Sequence, residues 1–521
     1  MRMPTKNIWT ICKALLVLVA ASAMVAYAPE ASADSGRIVY AIDVDISNLD
    51  TVNSIDPGSA AVNQQIYEPL VRMSSTGDIE AVLAESWSVS SDNLTWSFNL
   101  KKGVKFQDGT AFDAAAVKAH FDRLLDPKKA ARARGAFAMV KKVDVASTYT
   151  VKFTLTEPYA PFLAVMTDLG GLICSPTAVK KWGDDYPFHP VGTGPWMFKE
   201  WMAADHTTLT PNPNYRGGKP KISELVFKPV SEPSARVIML ETGQADVANS
   251  IMPDEMKRLE RSKDITINKV SVLRGWFIGL NVLEKPFDDV RVRRALNHAV
   301  DVSVITDEIL RGTAKPLTAP VNSKVWGYAG QPDYEYDPAK AKKLLAEAGY
   351  AKGFEANLWV PASGAGFMPE VPQAIQAMLA EVGVKVKIIP FEMSAFIDNI
   401  IKDPAESKKS GKHMVMMGIG ARTGEAATIM DEFFSTGSWA PVKYNRCFYS
   451  NKTVDGLLAK ALQTFDQTKQ RALLAEAQEM VWNDAPWIFL YEMMGIYGVR
   501  SNVKGLQWLA SNYILFNTVQ K

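Results

Sequence analysis

Two hydrophobic periods, one of two residues and one of about 3.6, recur in turn along this chain and restrict its fold more than any other feature. Thr95-Trp-Ser-Phe-Asn-Leu100 and Thr150-Val-Lys-Phe-Thr-Leu155 place apolar residues at every second position, as strands with one buried face do. Between them, Asp113 can cap a helix whose Val117, Phe121, Leu124 and Leu125 share a face. A second helix is punctuated by Asp337-Pro338 at its start and Gly349 past its end, with Ala341, Leu344, Leu345 and Ala348 as the buried stripe. Residues 39–42 read as a first strand, followed by a polar, turn-rich segment over 43–59. Helical patterns return over 372–382, 454–464 and 469–482. Strands and helices interspersed in this way predict an α/β or α+β chain.

The N-terminus is read separately. Arg2, Lys6 and Lys13 form a basic region, residues 14–28 are apolar, and Ala31-Ser32-Ala33 offers a small-residue cleavage site before Asp34. Residues 1–33 are therefore expected to be a secretory signal peptide. A transmembrane anchor would take roughly 20 apolar residues, and this run stops at Pro29 and Glu30. A lipoprotein anchor would take a cysteine at the cleavage point, but Cys12 lies upstream of the apolar core. The expected mature chain of 488 residues carries 55 bases and 55 acids, so its formal charge is zero. With no basic excess and no Lys/Arg-rich run, it is a poor candidate for nucleic acid. At about 150 residues per domain, it should hold two to four domains. Only Cys174 and Cys447 remain after processing, too few for a disulfide framework. They either pair or stay as buried thiols, and buried thiols are the favoured reading.

Chemistry that would mark an enzyme is missing from the sequence. There is no G-x-S-x-G elbow and no Walker motif. His120, His189, His206, His298 and His413 are scattered, without an H-E-x-x-H pair or a zinc spacing. Gly418-Ile-Gly-Ala-Arg-Thr-Gly424 looks like a dinucleotide loop, but its last glycine is one residue late and no acidic residue follows at the required distance. A secreted phosphodiester hydrolase is the reading from another class, and it lacks a convincing nucleophile or metal site. Ligand binding without a cofactor is the simpler expectation.

An ordered series of motifs spans the mature chain: Tyr67-Glu-Pro-Leu70, Leu83-Ala-Glu-Ser-Trp87, Gln107-Asp-Gly109, Pro190-Val-Gly-Thr-Gly-Pro-Trp196 and Asn212-Pro-Asn-Tyr215. Gly243-Gln-Ala-Asp-Val247, Pro286-Phe-Asp288, Val290-Arg-Val-Arg293, Tyr336-Asp-Pro338 and Ala485-Pro486 continue it. Together they resemble the periplasmic solute-binding proteins of ABC importers, of the dipeptide, oligopeptide and nickel type (family 5). The resemblance implies a type II two-lobed α/β binding-protein fold with an extra subdomain and a hinge between the lobes. The first lobe would hold residues 34–70, 190–277 and 491–521, with 71–189 inserted, and the second lobe residues 278–490. It also implies a periplasmic monomer without a lipid anchor, serving a permease in the inner membrane. Most of the motifs read as structural. Gly192, Gly194 and Pro195 are turn residues, and Arg291, Arg293 and Arg294 are expected in surface or interdomain ion pairs.

One segment speaks to the ligand. Peptide-binding relatives hold the peptide amino group with the aspartate of a Gly-Trp-x-x-Asp stretch, and the matching run here is Gly418-Ile-Gly-Ala-Arg422. Ile419 replaces the tryptophan and Arg422 the aspartate, so the charge is inverted and a buried ammonium is disfavoured. Arg422 also precedes an expected helix over 424–434, whose free N–H groups favour anions, and its planar fork suits phosphate or carboxylate. The alternative is that Arg422 pairs with Glu425. In the loop over 361–367, Ser363, Gly364 and Gly366 can donate hydrogen bonds to ligand oxygens and leave room for a bulky ligand; a plain flexible loop is the other reading. Trp276 and Trp439 fall where the resemblance puts cleft walls, though core packing also accounts for them. Gly135 and Ser59, with Ser54, correspond to further cleft loops. As a whole the chain is most similar to family members that capture agrocinopines, opines in which a phosphodiester joins two sugars. A small anionic sugar phosphodiester is thus the expected ligand, and a short peptide or glutathione the alternative.

Overall fold

The computed structural model describes residues 36–54, 56–74, 77–362, 368–420, 423–509, 511 and 513–521. The expected signal peptide lies outside them. Two long strands, Ile265–Leu280 and Trp487–Arg500, run antiparallel side by side and link the two ends of the main sheet. At one end, 494–500 pairs with 265–271, and beyond it the sheet continues through Val247–Ala248, Arg37–Ile42, Glu224–Pro229, His206–Pro211 and Trp196–Met202. At the other end, 274–280 pairs with Met414–Gly420, followed by Phe354–Pro361 and Val384–Phe391. Between the two ends the ladder loses register, first between Ser271 and Gly275 and again between Trp276 and Phe277. A ladder interrupted in this way bends there more easily than elsewhere. The chain is thus a two-lobed α/β fold whose two sheet ends are joined through the crossing strands.

A separate antiparallel sheet runs in the order Ala84–Val89, Thr95–Leu100, Thr150–Leu155, Val140–Ser147. The alternation expected from the sequence is realised in it. Trp96, Phe98 and Leu100, with Val151, Phe153 and Leu155, are buried against the helix Ala114–Leu125, and Phe121 meets Phe153 edge to face at 4.8 Å. Asp113 caps that helix by accepting from the Ala116 amide at 2.9 Å. Truncating Phe121 to alanine would cost about 3–5 kcal/mol, since the ring is fully enclosed. The helix Pro338–Glu347 is likewise capped by Asp337 and buries Ala341 and Leu345.

Two sequence expectations need correction. The segment over 43–59 does not stay irregular, because the helix Pro57–Ile66 starts inside it with Asp56 as its cap. This helix is buried on nearly every side, so it lacks the amphipathic period by which surface helices are recognised. The arginines of Val290–His298 also differ. Arg291 does pair with Asp289, at 2.6 Å. Arg293 and Arg294 instead donate to the carbonyls of Asp484 and Asn483, at 2.8 and 2.7 Å. They thereby occupy carbonyls at the end of the helix Gln467–Asp484, which helix geometry leaves open. Cys174 and Cys447 are free and buried.

Candidate ligand-binding cleft

Four of the ten recognised motifs build one buried frame. Glu68, 1% exposed, accepts from both terminal guanidinium nitrogens of Arg216, including Nη2 at 2.8 Å. It also accepts from the hydroxyls of Tyr215 at 3.0 Å and Thr193 at 2.8 Å. Three motifs far apart in sequence therefore converge on one carboxylate. A fourth joins them through Gln107, whose amide donates to the carbonyls of Gly194 and Trp196 at 3.1 and 2.8 Å. Gly192 and Gly194 pass so close to the Ile66 carbonyl that a Cβ on either would overlap it. These residues specify the fold, as expected.

The cleft itself follows from sheet topology. Phe354–Pro361 lies parallel to both of its neighbours, Val384–Phe391 and Met414–Gly420. The chain leaves it toward one neighbour and comes back on the other, so strand order reverses beside it. Open α/β sheets take ligands at the carboxyl ends of such a reversal. Ala362 leaves the first strand at this edge, and Gly420 ends the second. Ser363, Gly364, Gly366 and Arg422, which the sequence assigns to the site, lie outside the described residues but belong to the segments that these ends begin.

Thr423, Gly424 and Glu425 lead from this edge into the helix Ala426–Phe434. Glu425 caps the helix, with Oε2 accepting from the Thr428 amide at 3.0 Å and the Thr428 hydroxyl at 3.2 Å. It is 5% exposed, and Oε1 has no hydrogen-bond partner among the described residues. Burial pushes its carboxyl up to about 7, against the pull of its hydrogen bonds to Thr428 and Ala427. A Cβ on Gly424 would overlap Met73. Beside Met73 is a cavity of about 20 Å³, lined among others by Gln64, Arg72, Thr167, Leu273 and Ser511, room for about one water. The Arg72 Nε is buried there with no hydrogen-bond partner among the described residues. Burial lowers the Arg72 pKa, with Glu68 the foremost opposing charge.

The other sequence-assigned residues are not gathered around this cavity. Trp276 is buried in a core cluster with Ile278, Leu280 and Tyr491. Trp439 is half-buried; its indole donates to the Tyr449 carbonyl at 2.7 Å and its ring meets Phe448 edge to face. Gly135 is exposed in the short helix Arg132–Phe137 of the separate sheet's subdomain, with nothing close to where a Cβ would be. The Ser59 hydroxyl accepts from the amides of Ser47 and Asn48, at 2.9 and 3.0 Å, and so anchors the preceding loop to its helix. Ser54 is buried, and its hydroxyl has no partner among the described residues. Arg72, Gln64 and Thr167 escape sequence reasoning because folding brings them together from three separate segments, none of which carries a binding motif.

Two lobes joined by a deformable strand pair, with a cleft at a topological reversal, define a hinged solute-binding protein. The comparisons specify which kind. Residues 78–441 match the middle region of bacterial extracellular solute-binding proteins, family 5, and the chain belongs to that family. It is 34% identical over 498 residues to the glutathione-binding protein GsiB of Salmonella choleraesuis, covering 95% of this chain and 96% of that one. The structure of DppA from Helicobacter pylori in complex with peptide STSA superposes with a TM-score of 0.77 at 29% identity, covering 94% and 98% of the two chains. That of AgaA from A. tumefaciens R10 in complex with agropinic acid gives 0.73 at 26%, covering 91% and 95%. The chain is a solute-binding component of an ABC importer and not an enzyme. No helix among the described residues is long and apolar enough to cross a membrane.

Proposed function

We propose that the protein captures a small anionic ligand, a sugar phosphodiester of the agrocinopine type, and hands it from the periplasm to an inner-membrane permease. The lobes would be 34–70 with 190–277 and 491–521, and 278–490, with 71–189 inserted in the first. The carrying observation is Arg72: a guanidinium whose Nε lacks a partner among the described residues, beside a small cavity that it lines with Gln64 and Thr167, is a ready donor to an oxyanion. Arg422 adds a second cation where peptide-binding relatives carry a carboxylate. The likeness to AgaA, solved with an opine acid, supports the same class.

Glutathione is the second reading, favoured by the 34% identity to GsiB. It too is a net anion, with two carboxylates and one ammonium, so a cationic cleft does not separate the two. Calorimetry with a sugar phosphodiester opine, agropinic acid, glutathione and dipeptides does. Glutathione binding without opine binding would replace the first reading by the second. With the ligand that binds, Arg422→Ala should weaken affinity about ten- to a hundredfold, one charge-assisted hydrogen bond, and Arg422→Asp more. Unchanged affinity in both variants would refute an anion held by Arg422.

A further inference from the structure

The subdomain of the separate sheet touches the second lobe directly. Tyr159, just past the strand Thr150–Leu155, places its hydroxyl 3.2 Å from Thr428 Oγ1. Thr428 donates its own proton to Glu425 Oε2, which leaves its oxygen free to accept from Tyr159. The hydroxyls thus form a one-way chain that ends on the carboxylate capping Ala426–Phe434. One residue further, the Ala160 amide donates to the Leu462 carbonyl at 2.8 Å. Leu462 is in the last turn of Lys452–Gln463, where carbonyls have no partner within the helix; an amide from the other lobe supplies one. Phe465, just beyond that helix, lies 5.9 Å from the Trp96 ring and packs on the subdomain core.

We infer that Tyr159 and Ala160 form a latch that holds the lobes closed through contacts needing no ligand. Bending at residues 271–275 would part these contacts, so they stabilise the closed state alone. Ligand affinity scales with the fraction of protein already in the binding-competent state, and the latch therefore sets affinity without touching the ligand. Because Glu425 ends both the latch and the turn over 423–425, the same side chain ties closure to the candidate site.

The test needs no ligand. Spin labels on Ser147→Cys and Lys469→Cys, both exposed positions, report the interlobe distance in the ligand-free protein, while the two native thiols stay buried. The expected distribution contains a closed population. Tyr159→Phe should lower the closed-to-open ratio roughly two- to tenfold, the effect of one neutral hydrogen bond. Thr428→Val should do the same, and the double variant should do little more than either, since both remove one contact. Circular dichroism checks that each variant is folded. A wholly open ligand-free protein, unchanged ratios in the variants, or additive effects in the double variant would overturn the latch.

Discussion

Glu68→Gln is the most direct check on the claim that the motifs build a frame. The change keeps the shape but removes the charge facing Arg216 and turns one of the two accepting oxygens into a donor. Bonds to a charged group contribute about 1.5–3 kcal/mol each, and Arg216 makes two of them to Glu68. The Arg216 side chain is 29% exposed, however, so it can turn partly to water and recover some of that loss. The expected cost is about 2–3 kcal/mol for Glu68→Gln. Glu68→Ala strands the Thr193 hydroxyl as well, on a residue 2% exposed, and should cost about 3–5 kcal/mol, as breaking a buried ion pair does. A domain is stable by only about 5–15 kcal/mol, so the loss is readily measured. Urea unfolding followed by tryptophan fluorescence reads it as a shifted midpoint at unchanged slope. Glu68→Leu combined with Arg216→Met should recover part of the loss, because Arg216 is no longer left without its partner, although the buried Arg72 still loses its foremost opposing charge. A Glu68→Gln cost below about 1 kcal/mol, or a double variant no better than Glu68→Ala, would refute the reasoning.

Three further outcomes follow from buried titratable groups. Burial holds Glu425 at about 7 when folded, so the unfolded chain ionises first; the stability present in full below about pH 4.5 is lost as pH rises to about 7, by on the order of 3 kcal/mol. Glu425→Gln should flatten that part of the stability curve measured by urea unfolding. Burial pulls Lys412 down to about 8, and its Nζ donates to the Arg446 carbonyl at 3.0 Å; Lys412→Met should raise stability at pH 7 by about 1–3 kcal/mol in thermal or urea unfolding. Burial alone would raise the Cys174 thiol, but Arg123, with Nη2 3.2 Å from the sulfur, and His120 bring it to about 7. Burial pushes Cys447 up to about 12. Thiolate absorbance at 240 nm should therefore titrate near neutral pH, with an amplitude of one thiol, and vanish in Cys174→Ser.

What was legible in the sequence was local. The strands over 95–100 and 150–155 and the helices begun by Asp113 and Asp337 were readable because one buried face leaves a period, and a capping aspartate marks a start. The helix Pro57–Ile66 left no such trace, since burial on nearly all sides erases the contrast between faces. The motifs were recognisable one by one, but their meeting at Glu68 depends on contacts spanning 125 and 147 residues, which no local pattern encodes. The cleft was legible only in part. Loops after strands can be assigned from motif position, whereas the cavity beside Arg72 exists only because folding gathers segments around residues 64–73, 167, 273 and 509–511.

The hinge and the cavity share a residue, and that coupling explains how ligand could control closure. Leu273 lies in the stretch between Ser271 and Gly275 where the two crossing strands lose register, and it also lines the cavity beside Arg72. The bulged stretch is not left loose: Asn322 donates to the Val272 carbonyl at 3.0 Å, and Ser323 binds Glu492 of the opposing strand through its amide and hydroxyl, at 2.8 and 2.7 Å. Bending the strands must therefore carry Leu273 with it and change the cavity wall. A ligand group lodged against that wall resists the bend, and Met73, which lines the same cavity, sits against Gly424. Closure and occupancy are then linked through one packed side chain, as a hinged protein needs if its ligand is to favour the closed state by differential contact.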